Sequence, residues 1–106
     1  MKVTREHKPD SRGWPDNDFI LYHFYEGGDC LIGRQFDGSL DEAHFLNLTD
    51  SDNNIHTFDS IPYELPLFTK ALNYFQDEHG VHQFNVLVFT ERGVSPTWEP
   101  VEYIRQ

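Results

Sequence analysis

Histidine is the side chain in this sequence best suited to chemistry near neutral pH, and six are present. His79 and His82 stand three apart beside Glu78, but Gly80 between them would end the helix needed to align them. Two imidazoles also need a third convergent ligand to hold zinc, and no position marks one, so no metal site is assigned. His44 or His56 with Lys70 would supply the acid, base and charge clamp of a small ribonuclease. The strong negative charge of the chain opposes that reading, because RNA would be repelled over a Debye length of ~10 Å at 0.1 M salt. His23 falls inside an apolar run and reads as a sheet residue. Cys30 is the single cysteine, which excludes an internal disulfide and a cysteine-based zinc site. Beside Leu31 and Ile32 and without basic neighbours to activate a thiolate, it reads as a small core hydrophobe.

The carboxylates fail the spacing tests of catalysis and of ion binding. Asp50-Ser51-Asp52-Asn53-Asn54 begins like a calcium loop, but Ile55 replaces the glycine of the sharp turn and Ile61 the bidentate glutamate. Asp41 and Glu42 are adjacent, so in a strand they point to opposite faces and form no dyad. Gly27-Gly28 and Gly33 are not followed by Gly-Lys-Ser/Thr and make no phosphate loop. No catalytic residue and no cofactor is assigned.

Charge is the feature that remains. The chain has 106 residues, 18 acidic and 8 basic side chains, and a net charge of −10. Residues 1–12 hold four of the basic residues (Lys2, Arg5, Lys8, Arg12) and two acidic ones, Glu6 and Asp10. The first 15 residues therefore read as a flexible basic arm on an acidic body. Residues 35–69 contain no Lys or Arg but carry Asp37, Asp41, Glu42, Asp50, Asp52, Asp59 and Glu64. A surface that only keeps a protein soluble usually intersperses both signs, so this band reads as a docking surface for a basic protein. Tyr63 and Trp98, lying near acidic or proline-containing turns, are its expected aromatic anchors. The other aromatics must mostly build the core.

These residues have to be positioned by a small set of elements. Residues 19–25 (FILYHFY) read as a strand, Glu26-Gly27-Gly28-Asp29 as a turn, and residues 30–36 as the returning arm of a hairpin. Asp37-Gly38 turns again. Residues 43–49 read as a third strand, although 41–48 would tolerate a helical turn. Residues 50–54 are a polar loop and 55–58 a short fourth strand. Leu65, Phe68, Leu72 and Phe75 repeat at helical spacing, with Pro62 and Pro66 in the N-terminal turn, Ser60 as a cap and Gly80 as the stop. Residues 81–90 (VHQFNVLVFT) read as a central strand buried on both faces. Arg92-Gly93 turns the chain into a last strand over residues 99–105, its start held at an edge by Pro96 and Pro100. The expected fold is α+β: a mostly antiparallel sheet of about five or six strands with one principal helix packed on it.

The length supports one domain, residues 1–106. The 29 Leu, Ile, Val and Phe residues exceed the roughly 20% floor of disordered chains. The N-terminal MKVTREHKPD has no apolar run of a signal peptide, and no stretch is long enough to span a membrane, so a cytoplasmic protein is expected.

In its size, acidity and lack of catalytic motifs the chain resembles bacterial toxin-immunity proteins, including those of contact-dependent growth inhibition systems. The resemblance implies a monomer that pairs with a toxin domain, often a basic nuclease, and covers its active site. It supplies no motif and transfers no residue. Carboxylates on such an inhibitor would imitate the charge of the nucleic-acid substrate and speed association. No direct contact with nucleic acid or membrane is expected. Two other readings stay open. One is a phage-type mimic of nucleic acid that blocks a DNA- or RNA-binding enzyme. The other is a small enzyme or ligand-binding module using His and Tyr.

Overall fold

A computed structural model describes residues 1–13, 17–90 and 95–102. Seven strands and one helix follow in the order β1 (Lys2–Lys8), β2 (Phe19–Glu26), β3 (Asp29–Phe36), β4 (Glu42–Thr49), β5 (Ile55–His56), α1 (Pro66–His79), β6 (Gln83–Val88) and β7 (Thr97–Pro100). The fold is α+β, as the sequence led us to expect. The sheet runs β1-β2-β3-β4-β6-β7, with β5 paired to β4 beside that path. Every strand pair is antiparallel except β4 with β6. A parallel pair needs a long crossover, and α1 is carried in it.

Local chemistry accounts for most of these elements. Gly27 and Gly28 take φ of 60° and 89°, the two positive angles of a tight hairpin turn, and bring Glu26 opposite Asp29. Pro66 opens α1, where its missing N–H costs no helical hydrogen bond. Gly80 closes it in the left-handed conformation, and the Gly80 and Val81 amides donate to the Gln76 and Phe75 carbonyls. The N-cap is Leu65, without a side-chain cap, so Ser60 does not fill the capping role expected of it.

Alternation along the strands sorts the sheet into two faces. Tyr22, Phe24, Leu31, Gly33, Phe45, Phe84, Val86 and Val88 are buried, and α1 buries Leu67, Phe68, Ala71, Leu72 and Phe75 in the same core. Phe75 lies edge-on to Tyr22, Phe24 and Phe45, with ring centres 4.7, 5.4 and 5.8 Å away. Gly33 permits this approach: a Cβ there would lie 3.3 Å from the Phe24 ring and 3.4 Å from the Phe75 ring. One polar chain crosses the core with its partners satisfied. The Tyr22 hydroxyl donates to Gln35 Oε1 at 3.0 Å, and Gln35 Nε2 donates to the Leu40 carbonyl at 2.8 Å.

Several expectations change. Residues 2–8, read as part of a flexible arm, form edge strand β1, paired with residues 19–25 of β2. The third strand stands where it was expected, as β4, and the helical turn that residues 41–48 would have tolerated does not form. β6 is buried on one face only, since Phe84, Val86 and Val88 are buried while Gln83 is exposed and Asn85 and Leu87 are half-buried. The fourth strand shortens to β5, with Phe58 making a lone bridge to Val88. The last strand is Thr97–Pro100, and Pro100 pairs with Asn85 at its end. Residues 14–15 of the expected arm, the Arg92-Gly93 turn and residues 103–105 of the expected last strand lie outside the described residues. Among the described residues, no helix is long and apolar enough to cross a membrane.

Candidate functional site

β4 decides where the acidic band goes. Its eight residues cover roughly 26 Å of chain, so the carboxylates before and after it lie at opposite ends of the sheet. Asp37, Asp41 and Glu42 gather at one end, and Asp50, Asp52, Asp59, Tyr63 and Glu64 at the other, beside the Gly27-Gly28 turn. The residues expected to dock one partner thus divide between two places.

At the Asp37 end, His7 Nε2 lies 3.3 Å from Asp37 Oδ2 and 4.0 Å from Asp18 Oδ2. Atoms of these three groups lie within 4.8 Å of one another, a geometry from which a divalent cation could be held. The sequence hid this convergence because the residues stand 11 and 19 positions apart, without a ligand motif. The same groups tie loops together: Asp18 Oδ1 accepts the Asp10 amide at 2.6 Å, and the Asp18 carbonyl accepts the Asp37 amide at 2.9 Å. The Asp41 carboxylate is exposed, and its carbonyl accepts the amides of His82 and Gln83. Glu42 turns to the helix-free face, with Oε2 4.0 Å from His44 Nε2.

At the other end, Asp50 is committed to its own loop. It accepts the amides of Asp52 and Asn54 at 2.9 and 3.0 Å and contacts His56 Nε2 at 2.7 Å. The hydrogen bond to His56 and those to the loop backbone lower its pKa to about 2. Asn53 takes φ of 64° in this turn, and Asp50 looks inward, as in an Asx turn. Asp59 and Tyr63 do come together, with Glu99 joining them. They line a cleft of about 390 Å³ containing Ile61 and Val88. The Glu102 amide donates to the Tyr63 hydroxyl at 3.0 Å, while Tyr63 remains half exposed. Glu99 was not foreseen. It pairs with Val86, and Trp98 pairs with Leu87, so the two adjacent residues face opposite sides of the sheet. Trp98 is exposed, but it is not part of the cleft.

The nuclease-like set does not assemble. His56 is held by Asp50, Lys70 reaches Glu26 at 2.5 Å, and His44 lies on the helix-free face. His79 turns to the Tyr74 hydroxyl and His82 to the Gly80 carbonyl, so they share no ligand position. Cys30 is buried but lies outside the helix-side core, facing the other way with Sγ 3.7 Å from His23 Nδ1. Both line a depression of about 310 Å³ with Tyr25 and Asp50. Burial pushes the Cys30 thiol pKa up, which disfavours the thiolate needed for nucleophilic attack.

The helix-free face holds the group that sequence reading passed over. Arg34 is half-buried with its guanidinium carbon 4.6 Å from the Phe36 ring centre, 5.4 Å from Trp98 and 5.9 Å from Phe19. Among the described residues, Arg34 Nε and the neighbouring His44 Nδ1 are both buried without a hydrogen-bond partner. Burial lowers the Arg34 pKa. Burial and then the Arg34 charge lower that of His44, favouring neutral imidazole. The available signal was the alternation Cys30, Ile32, Arg34, Phe36, which places one cation in an otherwise apolar row. No protein-family model, curated protein or solved structure matches this chain.

Proposed function

We infer that this chain is an inhibitor that docks on a basic protein, in the manner of an immunity protein covering the active site of a nuclease toxin. The observation carrying the reading is the cleft rimmed by the Asp59 and Glu99 carboxylates, with Ile61, Val88 and Tyr63 along its walls. A Lys or Arg side chain suits such a cleft, its aliphatic stem on apolar carbon and its charged head between carboxylates. Among the described residues, neither Asp59 nor Glu99 forms an ion pair with a Lys or Arg of this chain. Asp52 and Glu64, exposed at the same end, extend the negative field that would steer a cationic partner. A cytoplasmic monomer that forms a one-to-one complex and performs no catalysis completes this reading.

The test joins capture to kinetics. Immobilised protein should retain a stoichiometric basic protein from the source cells at low salt. Asp59→Lys with Glu99→Lys should slow association with that protein at least tenfold, to an order of magnitude, and flatten its salt dependence. Asp37→Lys with Asp41→Lys, at the opposite end, should have a much smaller effect. An on-rate indifferent to salt and to the first pair defeats the reading. Displacement of the partner by duplex DNA would transfer the carboxylates to nucleic-acid mimicry.

A further inference from the structure

We propose that Arg34, surrounded by Phe19, Phe36 and Trp98, is the receptor for the carboxylate of a small aromatic acid. Three other basic side chains meet carboxylates: Lys8 meets Glu6, Arg12 meets Asp10 and Lys70 meets Glu26. Arg34 has three rings around it instead, and among the described residues no carboxylate. Rings attract the cation through their faces but give its N–H groups no acceptor. Among the described residues the buried Nε of this half-buried guanidinium has no acceptor, and an anion pairing with the fork would offset a charge that burial leaves poorly solvated.

The surroundings select the kind of anion. A single planar fork matches one carboxylate through two parallel hydrogen bonds. A phosphate dianion needs more positive charge than this face provides: His44 is biased towards neutrality, and Glu42 lies 4.0 Å from its Nε2. Trp98 and Phe36 flank both Arg34 and His44, with ring centres 5.1 and 5.6 Å from the imidazole. An aromatic body behind the carboxylate would stack on them. One carboxylate for Arg34 and one ring for Trp98 and Phe36 complete the match, so a free acid is sufficient.

Benzoate is the probe, added to the ¹⁵N-labelled full chain while the Arg34 Nε–Hε and Trp98 indole resonances are followed. Both should shift saturably, with a Kd of about 1 mM, the order expected for so small a ligand. Benzamide and inorganic phosphate should bind at least tenfold more weakly. Arg34→Gln should weaken benzoate at least tenfold and Trp98→Ala about threefold, to an order of magnitude. The His44 pKa should rise on saturation, because an anion beside Arg34 offsets the charge that holds it down; Arg34 and Glu42 are the charged groups facing this imidazole. The proposal is overturned by any of four results: no saturable shift up to about 20 mM benzoate, unchanged binding in Arg34→Gln, equal binding of phosphate, or tenfold tighter binding of N-acetylphenylalanine, which would assign the site to a polypeptide terminus. Should Arg34→Gln fail to fold by its amide spectrum, Trp98→Ala and the benzamide comparison decide the matter.

Discussion

The two faces of the sheet treat polar groups in opposite ways. Under α1, the Tyr22 hydroxyl and the Gln35 amide are buried and joined in a chain that ends on the Leu40 carbonyl. On the other face, Arg34 Nε and His44 Nδ1 are buried with no hydrogen-bond partner among the described residues. Gln35 and Arg34 are adjacent in β3, so the difference does not come from poor local structure. It separates a face optimised for folding from one that tolerates unsatisfied groups, and buried polar atoms left unsatisfied in a folded chain call for an explanation outside stability.

The largest effects should fall on the helix-covered face. Phe75→Ala removes the ring that contacts Tyr22, Phe24 and Phe45, and should cost about 3–5 kcal/mol in urea unfolding. Trp98→Ala, on the open face, should cost no more than about 1 kcal/mol. Gly33→Ala comes next, at about 1–3 kcal/mol, because its methyl would press on the Phe24 and Phe75 rings. Equal losses for Phe75→Ala and Trp98→Ala would erase the distinction between the faces.

Much of the helix-covered face was legible in the sequence, because its signals are periodic and local. The Gly27-Gly28 turn fixed one hairpin, and the 65–75 stripe with Gly80 located the helix. β1 was not legible: Val3 is the one aliphatic residue its inward positions offer beside Arg5 and His7, so pairing with β2, not burial, makes it a strand. Nor was the two-faced burial expected of β6 correct, since Phe84, Val86 and Val88 alternate with Gln83, Asn85 and Leu87. The docking band misled in a different manner. Contiguity along the chain is not contiguity in space, because β4 carries Glu42 and Asp50 to opposite ends. Glu99, distant in sequence, is the carboxylate that joins Asp59.

Substituting the cation itself sharpens the comparison. Arg34→Met keeps an apolar stem among the three rings and removes a charge that is half desolvated and unpaired. The variant should be no less stable than the parent, and up to about 2 kcal/mol more stable in urea unfolding. A loss comparable to Phe75→Ala would show that Arg34 is a structural member of the sheet. The same variant should release His44. In the parent, the lowered His44 pKa means that the folded state binds this proton less readily than the unfolded state. Its contribution to stability is therefore present above the ordinary value near 6.5 and is lost as pH falls through the folded pKa. Arg34→Met removes the electrostatic part of that depression and leaves the part due to burial. Histidine NMR titration should show the His44 midpoint moving upward without reaching the ordinary value.

The smallest effect tests the acidic end against both faces, because there the polar groups are exposed and yet satisfied. Asp50, at a pKa of about 2, is more acidic in the fold than an unfolded aspartate, so its contribution is present at neutral pH and disappears between about pH 4 and 2. His56→Ala removes the largest cause and leaves the Asn54 and Asp52 amides in place. Carboxylate-carbon NMR should find the Asp50 midpoint raised in that variant but still below its ordinary value, with a minor change in unfolding temperature at pH 7. A midpoint that stays near 2 would assign the shift to the backbone of the loop. The turn would then hold Asp50 without help from β5, and the two ends of the sheet would differ in backbone geometry as well as in the histidines that contact them.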